Sequence, residues 1–343
     1  MILQKNEIRR NLFKINLFAI VSYLVLVHSY TKVTFIISSI MTNFLGISIS
    51  QHDLSLNYSG YISIVCIFLQ LLVTYIFYWK NKMVFQKLDL KKDLDWKLIL
   101  LVLIVGLTFN YSAGIFANGY EVLMNQLGYT FYPAMSSKEN VGQTVQMGML
   151  LYAFVIGPLA EEFIYRETIT HYLLNFSPLF AIVISSLMFS FMHATIDQIP
   201  SALIYGLLFG LIYCCTKKIY TTMIVHVLNN FISTISSLYF DNPGVQDSIE
   251  KFQAFGTLLL NFLILLIAFV MLYVLLQYLQ KHYNLSWKFL LEGETGKKSS
   301  QKNISKKYCL SYYFITYALL ISSYILFAIY LYDLYLTISV LNN

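Results

Sequence analysis

The chain has 343 residues, of which 58% are hydrophobic and only 12% are charged, and its formal net charge is +6. Soluble globular domains carry about 25% charged residues, so this composition excludes a water-soluble fold and indicates a protein of the lipid bilayer. The basic residues cluster between apolar runs, which argues against a basic surface for nucleic acid and for a membrane topology signal.

Apolar runs that are long enough to cross a bilayer recur along the chain. Crossing the hydrocarbon core takes roughly 20 apolar residues. The sequence therefore predicts an all-α fold, a polytopic transmembrane helix bundle of about eight to nine spans. A shorter apolar segment, 33–48, either extends the first helix or lies on the outer surface. The candidate spans are residues 13–30, 59–79, 97–116, 144–165, 178–194, 199–215, 219–239, 253–277 and 309–332.

The distribution of lysine and arginine predicts a cytoplasmic N-terminus and a multi-pass protein of the cell membrane. With nine spans, nineteen basic residues fall in inner segments, and only Lys32, Lys138 and Lys251 fall in outer ones. Trp79, Trp96 and Trp287 each precede a lysine, as aromatic residues of the membrane interface often do.

Three parts follow from this organisation. Residues 1–143 hold the N-terminal transmembrane helices and a polar outer loop near 117–143. Residues 144–240 hold the core in which the unusual polar residues lie. Residues 241–343 hold the C-terminal helices and a polar cytoplasmic loop near 280–308, in which 293–307 is predicted to be flexible.

Four ionisable residues follow the apolar run 149–160, although such residues are expensive inside a membrane. Glu162 and Arg166 stand four residues apart, so they share a helix face and can pair. Glu161 is rotated by about 100° from Glu162, which leaves one carboxylate free for chemistry. Gly157-Pro158 can kink the helix just upstream. The structural alternative is that this cluster is the cytoplasmic rim of a span.

Two later spans carry histidines. His193 ends the run 178–194, where a lone histidine is more often an interfacial residue than part of a site. His226 and Asn230 share a face within the run 219–239, and their structural alternative is hydrogen bonding between helices. Asn229 is adjacent, so the sequence leaves open which amide faces inward. Between the two runs, Gly206-x-x-x-Gly210 predicts close helix packing.

The order of these motifs resembles the CPBP family of CAAX proteases and bacteriocin-processing enzymes, also called Abi. The motifs are Glu161-Glu162-x-x-x-Arg166, Phe189-x-x-x-His193 and His226-x-x-x-Asn230, and the resemblance covers about residues 144–240. Many members have glycine after the motif arginine, whereas this chain has Glu167.

The resemblance implies an intramembrane endopeptidase that acts on membrane-associated peptides or proteins. Glu161 and His193 would activate a water molecule, and His226 and Asn230 would stabilise the oxyanion. Glu162 with Arg166 would be structural support or an auxiliary acid–base pair. The same roles suit peptide hydrolysis, which needs a base for water and donors aimed at the developing oxyanion.

Two alternatives remain for the cofactor, a Zn²⁺ ion or none. Glu161, His193 and His226 could hold Zn²⁺ as a His₂Glu set with a free position for water. A metal-free glutamate mechanism has also been proposed for the family. The sequence has no His-Glu-x-x-His helix of the zincin type.

Two other functions compete with a protease. The chain could be a non-enzymatic bacteriocin immunity protein or membrane scaffold, in which the same residues serve binding. It could also be a transporter with the charged cluster as a coupling site, but no inverted repeat or pair of broken helices supports this.

Overall fold

The predicted all-α fold is confirmed. The computed structural model describes residues 2–83, 94–126, 143–193, 198–240 and 254–292, and every regular element in these ranges is helical. The long helices are α1 (Ile2–Leu45), α2 (Gln51–Lys80), α3 (Trp96–Gln126), α7 (Pro178–Met192), α8 (Gln198–Thr216), α9 (Ile219–Phe240) and α10 (Ala254–Tyr283), and α11 (Trp287–Glu292) is short.

Between α3 and α7 lies one composite helix, built from five successive segments. These are α4 (Gln143–Leu151), the π-helix π1 (Tyr152–Ile156), α5 (Gly157–Glu162), the π-helix π2 (Phe163–Thr170) and α6 (His171–Leu173).

Six helices in the described ranges are long and apolar enough to cross a membrane. They cover Arg10–Leu45, Asn57–Lys80, Trp96–Ala113, Met147–Leu173, Gln198–Thr216 and Leu259–Tyr283. This supports a multi-pass membrane protein, while the number of spans stays a prediction because segment 309–332 lies outside the described residues.

The first helix settles the status of segment 33–48. Its apolar part, Arg10–Leu45, has 36 residues, or about 54 Å at 1.5 Å per residue, more than the hydrocarbon core of about 30 Å. The helix ends before Gly46, which has a φ of +66°, a backbone conformation that glycine adopts at little cost. The N–H of Ile47 then donates to the carbonyl of Met41 at 3.0 Å, closing the last turn. The segment therefore extends the first helix through Leu45.

The prediction of two polar loops was wrong in part, because helices cover the start of each loop. α3 continues to Gln126, into the predicted outer loop 117–143. α10 and α11 likewise cover the start of the predicted inner loop 280–308. A helix satisfies its own backbone hydrogen bonds, so it can continue from hydrocarbon into water, and polar side chains alone do not end it. The remaining parts, including the predicted flexible segment 293–307, lie outside the described residues.

The tryptophans and α7 fit the predicted membrane boundaries. Trp79, Trp96 and Trp287 are all largely exposed, and each lies at a helix end on the predicted cytoplasmic side. In the predicted topology α7 would begin on the same side. Its first turn is capped by Ser177, whose hydroxyl accepts the N–H of Phe180 at 3.1 Å. With 15 residues, α7 is only about 22 Å long, shorter than the hydrocarbon core of about 30 Å.

An aspartate outside the spans joins α3 to α10. Asp95 accepts hydrogen bonds from the hydroxyls of Tyr278 at 2.8 Å and Tyr283 at 2.9 Å. Its other oxygen caps α3 by accepting the N–H of Leu98 at 3.1 Å. Partial burial raises the pKa of Asp95, but these hydrogen bonds outweigh it and hold the pKa below its ordinary value.

Glycines bring α7 and α8 together. A Cβ at Gly206 would lie 2.9 Å from the Cα of Ser186, and one at Gly210 would lie 3.4 Å from the Cα of Ile182. The packing role predicted for Gly206-x-x-x-Gly210 is therefore confirmed. This contact fixes α7, which His193 follows directly, against α8.

We expect Gly206→Val to lower the thermal stability of the detergent-solubilised protein, since the added side chain must push against the backbone of α7. Overpacking of this kind typically costs about 1–3 kcal/mol. Leu207→Val, one residue away on a side chain that is partly exposed to lipid, is the matched control. Equal unfolding temperatures for the two variants would contradict the close packing.

Candidate active site

The composite helix departs from α-geometry on both sides of Glu161 and Glu162. Pro158 has no backbone N–H, so it cannot donate the α-helical hydrogen bond to the carbonyl four residues back. The N–H of Gly157 instead bonds to the carbonyl of Tyr152, five residues back. π-helical segments are rare in proteins, and those that occur often lie at functional sites. The local irregularity predicted at Gly157-Pro158 is thus present, as a π-helix directly before α5.

The second π-segment, π2, is held by its own threonines. The hydroxyl of Thr168 donates to the carbonyl of Phe163 at 3.0 Å, and that of Thr170 donates to the carbonyl of Tyr165 at 2.7 Å. Both bonds join residues five apart. The side chains thereby satisfy carbonyls of the wide turns that carry Arg166 and Glu167.

Glu162 and Arg166 form the ion pair that their spacing predicts. The Nε of Arg166 lies 3.4 Å from Oε2 of Glu162, and both side chains are 0% exposed. The guanidinium carbon lies 4.5 Å from the ring centre of Phe189 and 5.6 Å from that of Phe209, a cation–π arrangement. Among the described residues, its three nitrogens have no acceptor in hydrogen-bond geometry. The charge therefore depends on Glu162 and on the two aromatic rings.

His226 lies between the two adjacent carboxylates. Its Nδ1 lies 3.0 Å from Oε1 of Glu162, and its Nε2 lies 3.7 Å from Oε2 of Glu161. An ionised carboxylate only accepts, so Nδ1 carries the proton when Glu162 is charged. The Nε2 atom then faces Glu161, whose side chain is 14% exposed. Glu161 is thus the more accessible of the two carboxylates.

His193 approaches this group through Phe189. Its Nδ1 lies 2.9 Å from the carbonyl of Phe189, and because a carbonyl only accepts, the proton is assigned to Nδ1 and the lone pair to Nε2. The ring centre of Phe189 lies 4.9 Å from that of His193 and 6.0 Å from that of His226. The two imidazole centres are therefore within about 11 Å of each other, without a direct hydrogen bond in the described part of the chain.

The two neighbouring amides have different surroundings. Asn230 donates through Nδ2 to the carbonyl of Ala153 in π1 at 3.0 Å, and it uses one of its two amide protons there. Asn229 is buried, accepts the hydroxyl of Tyr205, and donates to Oδ1 of Asn230 at 3.2 Å. Asn230 therefore faces the composite helix, and Asn229 supports it from behind.

A second carboxylate group was missed by sequence reasoning. The sequence distinguishes Glu167 only as a departure from the family pattern. Glu167 instead accepts hydrogen bonds from Tyr78 at 3.1 Å and Tyr213 at 2.9 Å. Its spacing of four residues from His171 was the available signal, whereas the tyrosines lie on distant segments of a chain that contains 28 of them.

The metal ligand set does not assemble in this arrangement. Among the described residues, no three His, Cys, Asp or Glu side chains stand where they could hold a metal ion together. Glu161 and His226 approach each other, but Nδ1 of His226 is engaged by Glu162 and His193 lies beyond Phe189. Zn²⁺ on Glu161, His193 and His226 stays a prediction, and no chemical step is derived through it.

Comparisons with known proteins support the family resemblance over the core. Residues 143–232 match the family model described as type II CAAX prenyl endopeptidase Rce1-like. The chain is 31% identical over 96 residues to the membrane-embedded CAAX protease MroQ of Staphylococcus aureus (strain USA300). It is also 31% identical over 93 residues to YdiL of Bacillus subtilis (strain 168), which is named as a candidate membrane peptidase.

These matches are confined to one part of each protein. They cover 26% of this chain, 39% of MroQ and 37% of YdiL, so the chain spans about two fifths of the length of these relatives. No solved structure gives a significant match. The predicted resemblance to the CAAX protease family is confirmed for this core segment.

We expect Arg166→Met to destabilise the protein strongly, because it leaves the buried Glu162 without its cation. Breaking a buried pair on one side typically costs about 3–5 kcal/mol. The double variant Glu162→Gln/Arg166→Met should recover much of this loss. Unfolding temperatures in detergent test both, with Lys14→Met on an exposed side chain as the control. Equal losses in the single and double variants would contradict a coupled pair.

Proposed function

We propose that this chain is an intramembrane endopeptidase that hydrolyses peptide bonds in membrane-associated peptides or proteins. The observation that carries the proposal is the meeting of Glu161 and Glu162, on the candidate span Met147–Leu173, with His226 on α9. The Nε2 of His226 is directed at Glu161, the accessible carboxylate. Ionisable groups at such depth are retained mainly for function. The family match over 143–232 supports the same reaction class.

Glu161 is proposed as the base that activates water, assisted by His193. Its neighbour Glu162 is committed to Arg166 and to His226, whereas Glu161 lies 3.7 Å from its nearest described ion partner, beyond hydrogen-bond range. The Nε2 lone pair of His193 can accept a proton, since its Nδ1 is held by the carbonyl of Phe189. These two groups therefore have the capacity to take a proton from water.

His226 and Asn230 are proposed as the donors to the oxyanion. An imidazolium at His226 would be stabilised by Glu162 on one side and by Glu161 on the other, and it donates from both ring nitrogens. Asn230 retains one amide proton beyond its bond to Ala153. Preorganised donors of this kind typically account for about 10²–10³ in rate each. Glu162 and Arg166 hold His226 in place.

The substrate is proposed to reach the site from the membrane. The two carboxylates lie on the candidate span Met147–Leu173. With the N-terminus in the cytoplasm, they would lie in the inner part of this span. Peptide precursors, bacteriocins and membrane regulators are the proposed substrate classes, because bacteria generally lack prenylated proteins and both relatives are bacterial.

We expect Glu161→Gln and His193→Ala to abolish cleavage while the protein stays folded. The purified protein in detergent is incubated with candidate membrane peptides, and mass spectrometry identifies the products. Loss of a general base typically reduces the rate by about 10²–10⁴-fold. Ser190→Ala is the matched control on the same helix as His193, since its hydroxyl is bonded to the carbonyl of Ile199 at 2.8 Å. Full activity of either site variant would refute the assignment, as would inactivity of Ser190→Ala.

The same assay with a chelator tests the metal alternative. Because Glu161, His193 and His226 do not form a ligand set in the described arrangement, we expect cleavage to survive exhaustive chelation. Loss of cleavage that added Zn²⁺ restores in the wild type, but not in His193→Ala, would instead establish a metal-dependent mechanism.

A further inference from the structure

A cluster around a buried carboxylate lies next to the proposed site without belonging to it. It consists of Glu167, Tyr78, Tyr213 and His171, which are called the Glu167 cluster below. Tyr78 donates to Oε1 of Glu167 at 3.1 Å, and Tyr213 donates to Oε2 at 2.9 Å. The Nδ1 of His171 lies 3.6 Å from Oε1 and 3.1 Å from the hydroxyl of Tyr213. Each carboxylate oxygen therefore has its own donor.

This arrangement gives Glu167 a single position. Its side chain is 4% exposed, and a carboxylate at that burial is stable only with partners that satisfy it. Those partners come from three different helices, since Tyr78 belongs to α2, Tyr213 to α8 and His171 to the composite helix itself. The carboxylate therefore fixes π2 against α2 and α8 in rotation and in depth.

A short chain of contacts leads from Glu167 to the reacting groups. Glu167 is the covalent neighbour of Arg166, whose Nε lies 3.4 Å from Glu162. Glu162 in turn lies 3.0 Å from Nδ1 of His226. A rotation of π2 would move Arg166 along with Glu167, and the position of Glu162 and His226 would change with it. A misplacement of about 1 Å at the reacting groups can lower the rate about 10²-fold, even when its cause lies outside the site.

Glu167 and the two tyrosines depend on one another. A glycine at this position would remove the acceptor of the buried Tyr78 hydroxyl and would leave the Tyr213 hydroxyl only the Nδ1 of His171, at 3.1 Å. Such groups carry a desolvation penalty when they lose a partner, whereas removing both partners together can be nearly neutral. The cluster therefore acts as one unit.

We propose that Glu167 is a positioning residue of the active site, which orients Arg166 and Glu162 by fixing π2 to Tyr78 and Tyr213. This inference rests on the proposed peptidase function. Glu167 does not touch the reacting groups, so its removal should lower kcat and leave KM nearly unchanged.

The test compares four variants with the wild type in the cleavage assay, all in the full chain. They are Glu167→Gln, Glu167→Gly, the double variant Tyr78→Phe/Tyr213→Phe, and the triple variant Glu167→Gly/Tyr78→Phe/Tyr213→Phe. Tyr75→Phe is the matched control, because Tyr75 lies on α2 near Tyr78 but is exposed. Thermal unfolding of each variant is measured beside kcat and KM.

We expect Glu167→Gly to lower kcat about tenfold or more, since π2 loses its hydrogen bonds to Tyr78 on α2 and to Tyr213 on α8. A tenfold loss corresponds to about 1.4 kcal/mol in the activation free energy. KM should change by less than about twofold, and Glu167→Gln should give a smaller loss because its amide oxygen still accepts one hydroxyl. The triple variant should lose no more kcat than Glu167→Gly, because both break the same link, and it should regain part of the thermal stability that the unpaired hydroxyls cost. Tyr75→Phe should match the wild type.

Two results would overturn the inference while leaving the peptidase function intact. One is a wild-type kcat in Glu167→Gly, and the other is a triple variant whose loss equals the product of the separate losses, which is the behaviour of independent sites. In the first case, a lower unfolding temperature beside the unchanged kcat would assign the cluster to stability alone. An inactive wild type would instead refute the proposed function itself.

Discussion

The buried ion pair between Glu162 and Arg166 is the constraint on which the site depends. Two charges at 0% exposure are unfavourable unless each stabilises the other. The guanidinium gains further from the rings of Phe189 and Phe209. Because Phe189 lies on α7 and Phe209 on α8, the pair also requires these helices to pack closely, as the glycine contact at Gly206 permits. Once Glu162 is fixed, its second oxygen orients His226 on α9. One interaction thus couples the composite helix to three others.

The π-segments explain how so many polar groups find partners on one helix. An ordinary α-helix hydrogen-bonds all of its interior carbonyls, whereas a π-segment shifts the bonding pattern and opens wider turns. In π1 the carbonyl of Ala153 accepts the amide of Asn230. In π2 the threonine hydroxyls satisfy carbonyls within the helix, so that Arg166 and Glu167 can face different neighbours. The irregular backbone therefore lies beside the polar residues of the site, and protein groups donate the hydrogen bonds that the carbonyls named here accept.

Sequence reasoning reached the fold class and the pairing of Glu162 with Arg166, because both depend on local patterns. Hydrophobic run length indicates spans, and a spacing of four residues indicates a shared face. It did not reach the contacts that join distant segments. The tyrosines Tyr78 and Tyr213 lie 89 and 46 residues from Glu167, and nothing local distinguishes them from other tyrosines. The predicted loops failed at α3 for a related reason, since polar residues mark where a helix leaves the membrane but not where it ends.

The composite helix carries three carboxylates within seven residues, and they differ in their partners and in their exposure. Glu167 is satisfied by two hydroxyls, and Glu162 by a guanidinium and an imidazole. The side chains of Glu162 and Glu167 are nearly or fully buried. Neither can contact a substrate unless it first breaks an interaction with a buried partner. Glu161 differs, because it is partly exposed and its nearest described ion partner, Nε2 of His226, lies at 3.7 Å. A base must exchange its proton with water and substrate during each cycle. Of the three, only Glu161 can do so while the framework around it stays intact.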